Sequence, residues 1–171
     1  MTVTIKILGR ILDHMRIDLR RSHKFAHERI GFMTANLATN DDELIMMVRD
    51  YTPVADDDYE RAAGVGAQIG SNAIRKALQS AYRPQSAFLH IHTHGGRGRP
   101  GFSGTDLRSG QEFVPSFFNT LPKMPHGLIV LSDDSVTGLL WYHPERNPVD
   151  IGNFVRVDSP YFRDWTNNEL A

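Results

Sequence analysis

At 171 residues the chain is long enough to bury the core of one domain. Hydrophobic content of 40% and charged content of 23% are ordinary globular values, and a net charge of −1 gives no electrostatic case for nucleic acid or an anionic membrane. There is no cysteine, which excludes disulfides, iron–sulfur clusters, thiolate zinc sites and cysteine nucleophiles; any metal must be held by His, Asp or Glu.

Residues 3–7 alternate as a short strand. Leu8, Ile11, Leu12, Met15 and Leu19 then recur at helical spacing, and that helix should end near Ser22. Glu28 to Ala35 and Glu43 to Val54 read as strands joined by a polar hairpin loop, Asn40-Asp41-Asp42. A glycine-rich stretch follows, in which Ala62 to Ile69 allows a strand. Ser71 opens the clearest helix, with Ala73, Ile74, Ala77, Leu78, Ala81 and Tyr82 as one stripe and Pro84 beyond its end. Ala87 to Thr93 is an apolar strand. A glycine-rich loop (residues 95–101) leads into a helix from about Gly104, which Pro115 should break or kink. Phe113, Phe117 and Phe118, at helical spacing, belong to the core. Residues 128–131, 136–143 and 154–157 read as strands, the first two joined by a turn at Asp133-Asp134.

Together these predict an α/β (α+β) domain over residues 1–160, with a mixed, mostly antiparallel sheet packed by helices, and a polar-aromatic tail over 161–171. The N-terminal segment lacks a secretory pattern, and no stretch approaches the roughly 20 apolar residues of a membrane span, so the expected location is cytoplasmic.

The chemistry concentrates on His92-Thr93-His94 and, eight residues on, Ser103-Gly104-Thr105-Asp106. Imidazoles one residue apart at a strand end point to the same side. A carboxylate at the start of the next helix can join them as a third ligand, leaving one position open for water, which is the pattern of a hydrolytic rather than a structural site. Each half is weak alone. One His-x-His pair is close to what chance gives for eight histidines, and Ser-x-x-Asp is also an ordinary capping box. Other His-x-His classes fit poorly: no Asp-His follows the pair, the chain is short for a barrel amidohydrolase, and no His-Glu-x-x-His is present.

With Glu28 upstream in Glu28-Arg29-Ile30-Gly31-Phe32-Met33, the ordered set Glu28, His92, His94, Ser103 and Asp106 resembles the JAB/MPN metallopeptidases and their JAMM motif, over roughly residues 4–141. The resemblance implies the JAB/MPN (cytidine deaminase-like) fold with a curved sheet. It implies Zn2+ held by His92, His94 and Asp106, Glu28 on an early strand as general base, and Ser103 as a donor to the oxyanion. Two positions depart from the pattern. Gly95 stands where many relatives have proline, and His90, on the same strand face as His92, replaces tryptophan or another non-ligand. His90 can approach the metal or hydrogen-bond within the core and orient a neighbour.

The resemblance further implies cleavage of an amide or isopeptide bond after the C-terminal tail of a ubiquitin-like protein. Glycines at such a tail end suit a narrow site, and Arg97 and Arg99 in the glycine-rich loop are candidates for a flexible basic rim. The compact form is similar to stand-alone prokaryotic members, some found with E1-like, E2-like and ubiquitin-like proteins in bacterial conjugation systems, antiphage ones included. A hydrolase of a sulfur-carrier fusion or small peptide is the alternative, and a non-catalytic binding or scaffold module the second. Oligomeric state is not legible.

Overall fold

The computed structural model describes residues 1–22, 26–61, 66–158 and 162–164, the last three by their backbone alone. Strand β1 (Thr2–Leu8) runs directly into helix α1 (Gly9–Leu19), which buries Leu12, Met15 and Leu19 as one stripe. The helix stops short of Ser22 because the carbonyls of Arg21 and Ser22 turn aside to accept hydrogen bonds from the Arg29 side chain. Strands β2 (Ile30–Thr39) and β3 (Glu43–Pro53) form the expected hairpin, its turn fixed by Asn40 Oδ1 accepting from the amides of Asp42 and Glu43.

Helix α2 (Ser71–Ser80) leads to β4 (Ala87–Thr93), then α3 (Gly104–Phe117), β5 (His126–Leu131), β6 (Val136–Trp141), β7 (Val149–Asp150), β8 (Asn153–Val157) and β9 (Phe162–Asp164). All nine strands join one sheet in the order β7-β6-β5-β4-β2-β3-β1-β8-β9. Antiparallel pairings predominate, with parallel neighbours at β1–β3, β1–β8 and β4–β5. The class is therefore mixed α/β, as composition and periodicity predict.

Side-chain alternation sorts the sheet into two cores. On one face Ile5, Met33, Met46, Leu89, Ile91 and Ile129 pack with Leu12 and Met15 of α1. On the other, Phe32, Phe88 and Leu128 pack with Ala73 and Ala77 of α2 and Val114 and Phe117 of α3. The sequence Ala87-Phe-Leu-His-Ile-His92 divides cleanly: Leu89 and Ile91 go to the first core, and His90 and His92 face the second. Gly110 lets α3 approach β5, since a Cβ there would press on Leu128 at 3.0 Å.

Several expectations need correction. Residues 62–65 of the anticipated strand lie outside the described residues, and of the remainder Ile69 pairs through an isolated bridge to Tyr59. Pro115 does not break α3, which runs on to Phe117. It sits in the last turn, where the carbonyl it leaves without a helical partner belongs to exposed Gln111 and is open to water. Tyr82, assigned to the α2 stripe, is half exposed. Strand β7 was not anticipated, and Phe162–Asp164 of the tail pairs antiparallel with β8; the region around Trp165 lies outside the described residues. Among the described residues no helix is long and apolar enough to cross a membrane.

Candidate metal centre

Register brings the site together. In the antiparallel β2–β4 pair, Ile30 stands opposite His92 and Phe32 opposite His90. Continued two residues past Ile30, the same register sets Glu28 opposite His94. Glu28 is thus not on a strand, as the sequence suggested, but in the segment just before β2. That segment is pinned from two directions. The amides of His27 and Glu28 donate to the Gly66 carbonyl, and the Tyr59 hydroxyl accepts from the Ile30 amide at 2.8 Å. Gly66 is required there, because a Cβ would run into the Glu28 carboxylate.

His92 is the penultimate residue of β4, and His94 follows the strand, its amide donating to the Leu131 carbonyl at 2.8 Å. Their Nε2 atoms lie 3.2 Å apart. The Asp106 carboxylate completes a triangle, with Oδ1 3.2 Å from His92 Nε2 and Oδ2 3.3 Å from His94 Nε2. Asp106 is carried there by the start of α3. Its Oδ2 accepts from the Ser103 amide at 2.6 Å while Ser103 Oγ accepts from the Asp106 amide at 3.1 Å, a complete capping box. Burial pushes the Asp106 carboxyl up, but the hydrogen bonds from His92 and Ser103 outweigh it and hold the group well below the usual carboxylate range.

Two unprotonated ring nitrogens at 3.2 Å repel unless a proton or a cation lies between them. Tetrahedral coordination with bonds of about 2.0–2.1 Å places donor atoms about 3.3 Å apart. The 3.2 Å between the two imidazole nitrogens matches that spacing, and each nitrogen has a different Asp106 oxygen at a similar distance, 3.2 Å to Oδ1 and 3.3 Å to Oδ2. Glu28 is the second carboxylate at the pair. Its Oε1 is 3.8 Å from His94 Nε2, and Glu28, His92 and His94 present donor atoms within 4.8 Å of one another, so these three can also hold a metal ion. Of the two acids, Asp106 lies nearer the imidazoles and has the less exposed side chain, 14% against 29% for Glu28.

His90 is buried, and its ring lies 4.8 Å from that of Phe113 and 5.7 Å from that of His92. Desolvation, and after it the nearby His92, hold His90 well below the ordinary imidazole range. The expected core hydrogen bond is not made at Nδ1; this atom and Nδ1 of His92 are buried without a partner among the described residues.

The site opens into a cleft of about 500 Å³ between α2 and α3, lined at its mouth by Glu28, His92, His94, Ser103 and Asp106 and further in by Ile69, Ile74, His90, Phe113 and Leu128. The sequence reading missed this inner half, because Ile74 and Phe113 read simply as members of apolar helical stripes. Arg97 and Arg99 do not line the cleft. Arg97 Nε is 3.4 Å from Asp134 and Arg99 Nε 3.4 Å from Thr137, and the loop between is tied to the β5–β6 turn by Gly98 N–H to Asp134 and Ser132 Oγ–H to the Gly98 carbonyl. Gly96 and Gly98 hold positive φ of 93° and 86° in that loop. The loop that carries both arginines is thus hydrogen-bonded to the β5–β6 turn and is not among the residues lining the cleft.

No family model matches the chain, and neither does any curated protein. Among solved structures, the chain is similar to the Trichoplax adhaerens STIL N-terminal domain at 11% identity and a TM-score of 0.41, over 81% of this chain and 41% of that one. A likeness of that size carries no argument about fold family or chemistry.

Proposed function

We propose that this protein is a zinc-dependent peptidase or isopeptidase of the JAB/MPN (JAMM) kind, with His92, His94 and Asp106 as metal ligands and Glu28 as general base. The observation that carries this reading is the convergence of His92 Nε2 and His94 Nε2, 3.2 Å apart, with the two Asp106 carboxylate oxygens at 3.2 and 3.3 Å and the Glu28 carboxylate at 3.8 Å. A nitrogen and oxygen donor set without sulfur, open on one side to a cleft, suits zinc in a catalytic rather than a structural role. Zinc there would polarise the scissile carbonyl and lower the pKa of water from about 15.7 toward roughly 7.

The chain's own groups supply the rest. Glu28, half exposed at the cleft mouth and beside His94, takes a proton from the attacking water and hands it to the leaving amine. Ser103 Oγ accepts from the Asp106 amide, so its own hydroxyl proton remains to be donated to the developing oxyanion. Asp106, bonded by the Ser103 amide at a helix N-terminus, stays an anion.

The substrate class rests on the motif resemblance: the bond after the C-terminal tail of a ubiquitin-like protein, cleaved in processing or deconjugation, plausible partners being the E1-like and E2-like enzymes of a bacterial conjugation system. An extended tail can lie along the cleft by backbone hydrogen bonds. The test is hydrolysis of a ubiquitin-like fusion by zinc-loaded protein with and without chelator. Chelator-sensitive cleavage supports the proposal; cleavage indifferent to chelator, or none by protein with one zinc per chain, contradicts it.

A further inference from the structure

The cleft is larger and more apolar than a glycine tail requires. Besides the metal-site side chains it is lined by the apolar Ile69, Ile74, Phe113 and Leu128, by His90, and by the uncharged polar Gln68, Thr105 and Ser109. The acidic side chains that line it, Glu28 and Asp106, belong to the metal end, and its volume of about 500 Å³ lies within the range of pockets that enclose a ligand group. Phe113 and His90 both line the cleft, their rings packed on each other at 4.8 Å between centroids, so that Phe113 is the aromatic side chain more open to it. A polypeptide with glycine on both sides of the scissile bond would leave this apolar surface against water.

We propose that the inner cleft is a side-chain pocket, and that the substrate carries a bulky apolar residue, aromatic in preference, next to the bond that is cut. This deepens the peptidase reading and rests on it for the position of the bond. The expected narrow, glycine-fitting site is replaced by one that selects for size. Apolar burial favours the large residue, the aromatic surfaces favour a ring, and a carboxylate side chain would meet a low-dielectric pocket beside Glu28 and Asp106.

Two measurements test it on the full chain. With zinc-loaded enzyme and peptides varied to Phe, Leu, Gly or Asp at each position flanking the cleaved bond, kcat/KM for Phe should exceed that for Gly roughly tenfold or more at one position, with Asp lowest. Toluene, the phenylalanine side-chain analogue, is titrated separately against zinc-free and zinc-loaded protein while the methyl resonances of Ile69, Ile74 and Leu128 are followed. Saturable shifts confined to those methyls are expected, and Ile74→Trp, which fills the cleft, should abolish them and erase the Phe preference. Should that variant not fold, Ser109→Trp fills the cleft from the α3 side. Saturable toluene shifts with zinc bound but no peptide cleaved would sink the peptidase reading and leave the pocket standing. Gly equal to or better than Phe at both positions, or toluene leaving the three methyls unmoved, overturns the pocket.

Discussion

Two buried polar clusters flank Glu28, and they are built on opposite logic. On one side the Arg29 guanidinium, 2% exposed, donates to the carbonyls of Arg21 and Ser22 and to Asp56 Oδ1 at 2.7–2.9 Å. Donors there meet acceptors, and the cluster holds the end of α1, the start of β2 and the segment at Asp56 together. On the other side His92 Nε2, His94 Nε2 and the Asp106 carboxylate crowd one another at 3.2–3.3 Å. His126, across from Phe88 on β5, sharpens the contrast. It is a buried imidazole whose Nε2 reaches the Leu121 carbonyl and whose Nδ1 accepts from the Phe88 amide. The Arg29 and His126 groups are satisfied within the fold, whereas Glu28, His92 and His94 form a group that could hold a metal ion.

That difference can be broken from the side of the acceptors first. His92→Ala or Asp106→Ala should remove both zinc and turnover, a loss of roughly a thousandfold or more in kcat/KM, read by metal analysis and peptide hydrolysis. Glu28→Gln should keep zinc and lose about 10²–10⁴-fold in kcat, which separates the acid that holds from the acid that moves a proton. Ser103→Ala should cost roughly a hundredfold in kcat as an oxyanion donor, and about 1 kcal/mol of stability as the cap of α3.

On the satisfied side, changes should strike stability and spare the metal. Arg29→Met should destabilise the protein by about 2–3 kcal/mol in denaturant unfolding, since two carbonyls lose their donor, while zinc affinity holds. His126 gives the most specific effect, confined to acid pH. Desolvation first, against its two backbone hydrogen bonds, lowers its pKa to about 4 from an ordinary 6.5. The neutral form therefore belongs to the folded state. Its contribution is complete above about pH 6.5 and is lost as pH falls through about 4, because the unfolded chain takes up the proton first. The loss is about 3 kcal/mol across that window, and His126→Gln should flatten the acid limb of the unfolding curve relative to the unsubstituted protein.

Much of this architecture was legible because burial leaves a period in the sequence. Leu12, Met15 and Leu19 mark α1, and the alternation through Phe88, His90 and His92 assigns the histidines to one face of β4. The meeting of His92 and His94 with Asp106 was legible for the same reason, a strand end and a helix start carrying these side chains to one place. Glu28 was not found by pattern. It lies outside β2, and only the motif resemblance singled it out; the register that sets it against His94 is a long-range property of the sheet. The inner cleft was invisible because a stripe such as Ala73, Ile74 and Ala77 says which side of a helix turns inward, not whether the opposite helix closes on it. The hydrogen bonds from Ser132 and Asp134 to Gly98 were not legible for a related reason: their partners are distant in sequence, whereas glycines at 96 and 98 announce only a permissive backbone.

Titration of metal-free protein with zinc, followed by X-ray absorption at the zinc edge, tests the central claim most directly. The account predicts one ion per chain with two imidazole nitrogens and at least one carboxylate oxygen at about 2.0–2.2 Å, lost in His92→Ala and retained in Glu28→Gln. Failure to bind a stoichiometric ion, or a coordination shell unchanged by His92→Ala, would contradict it.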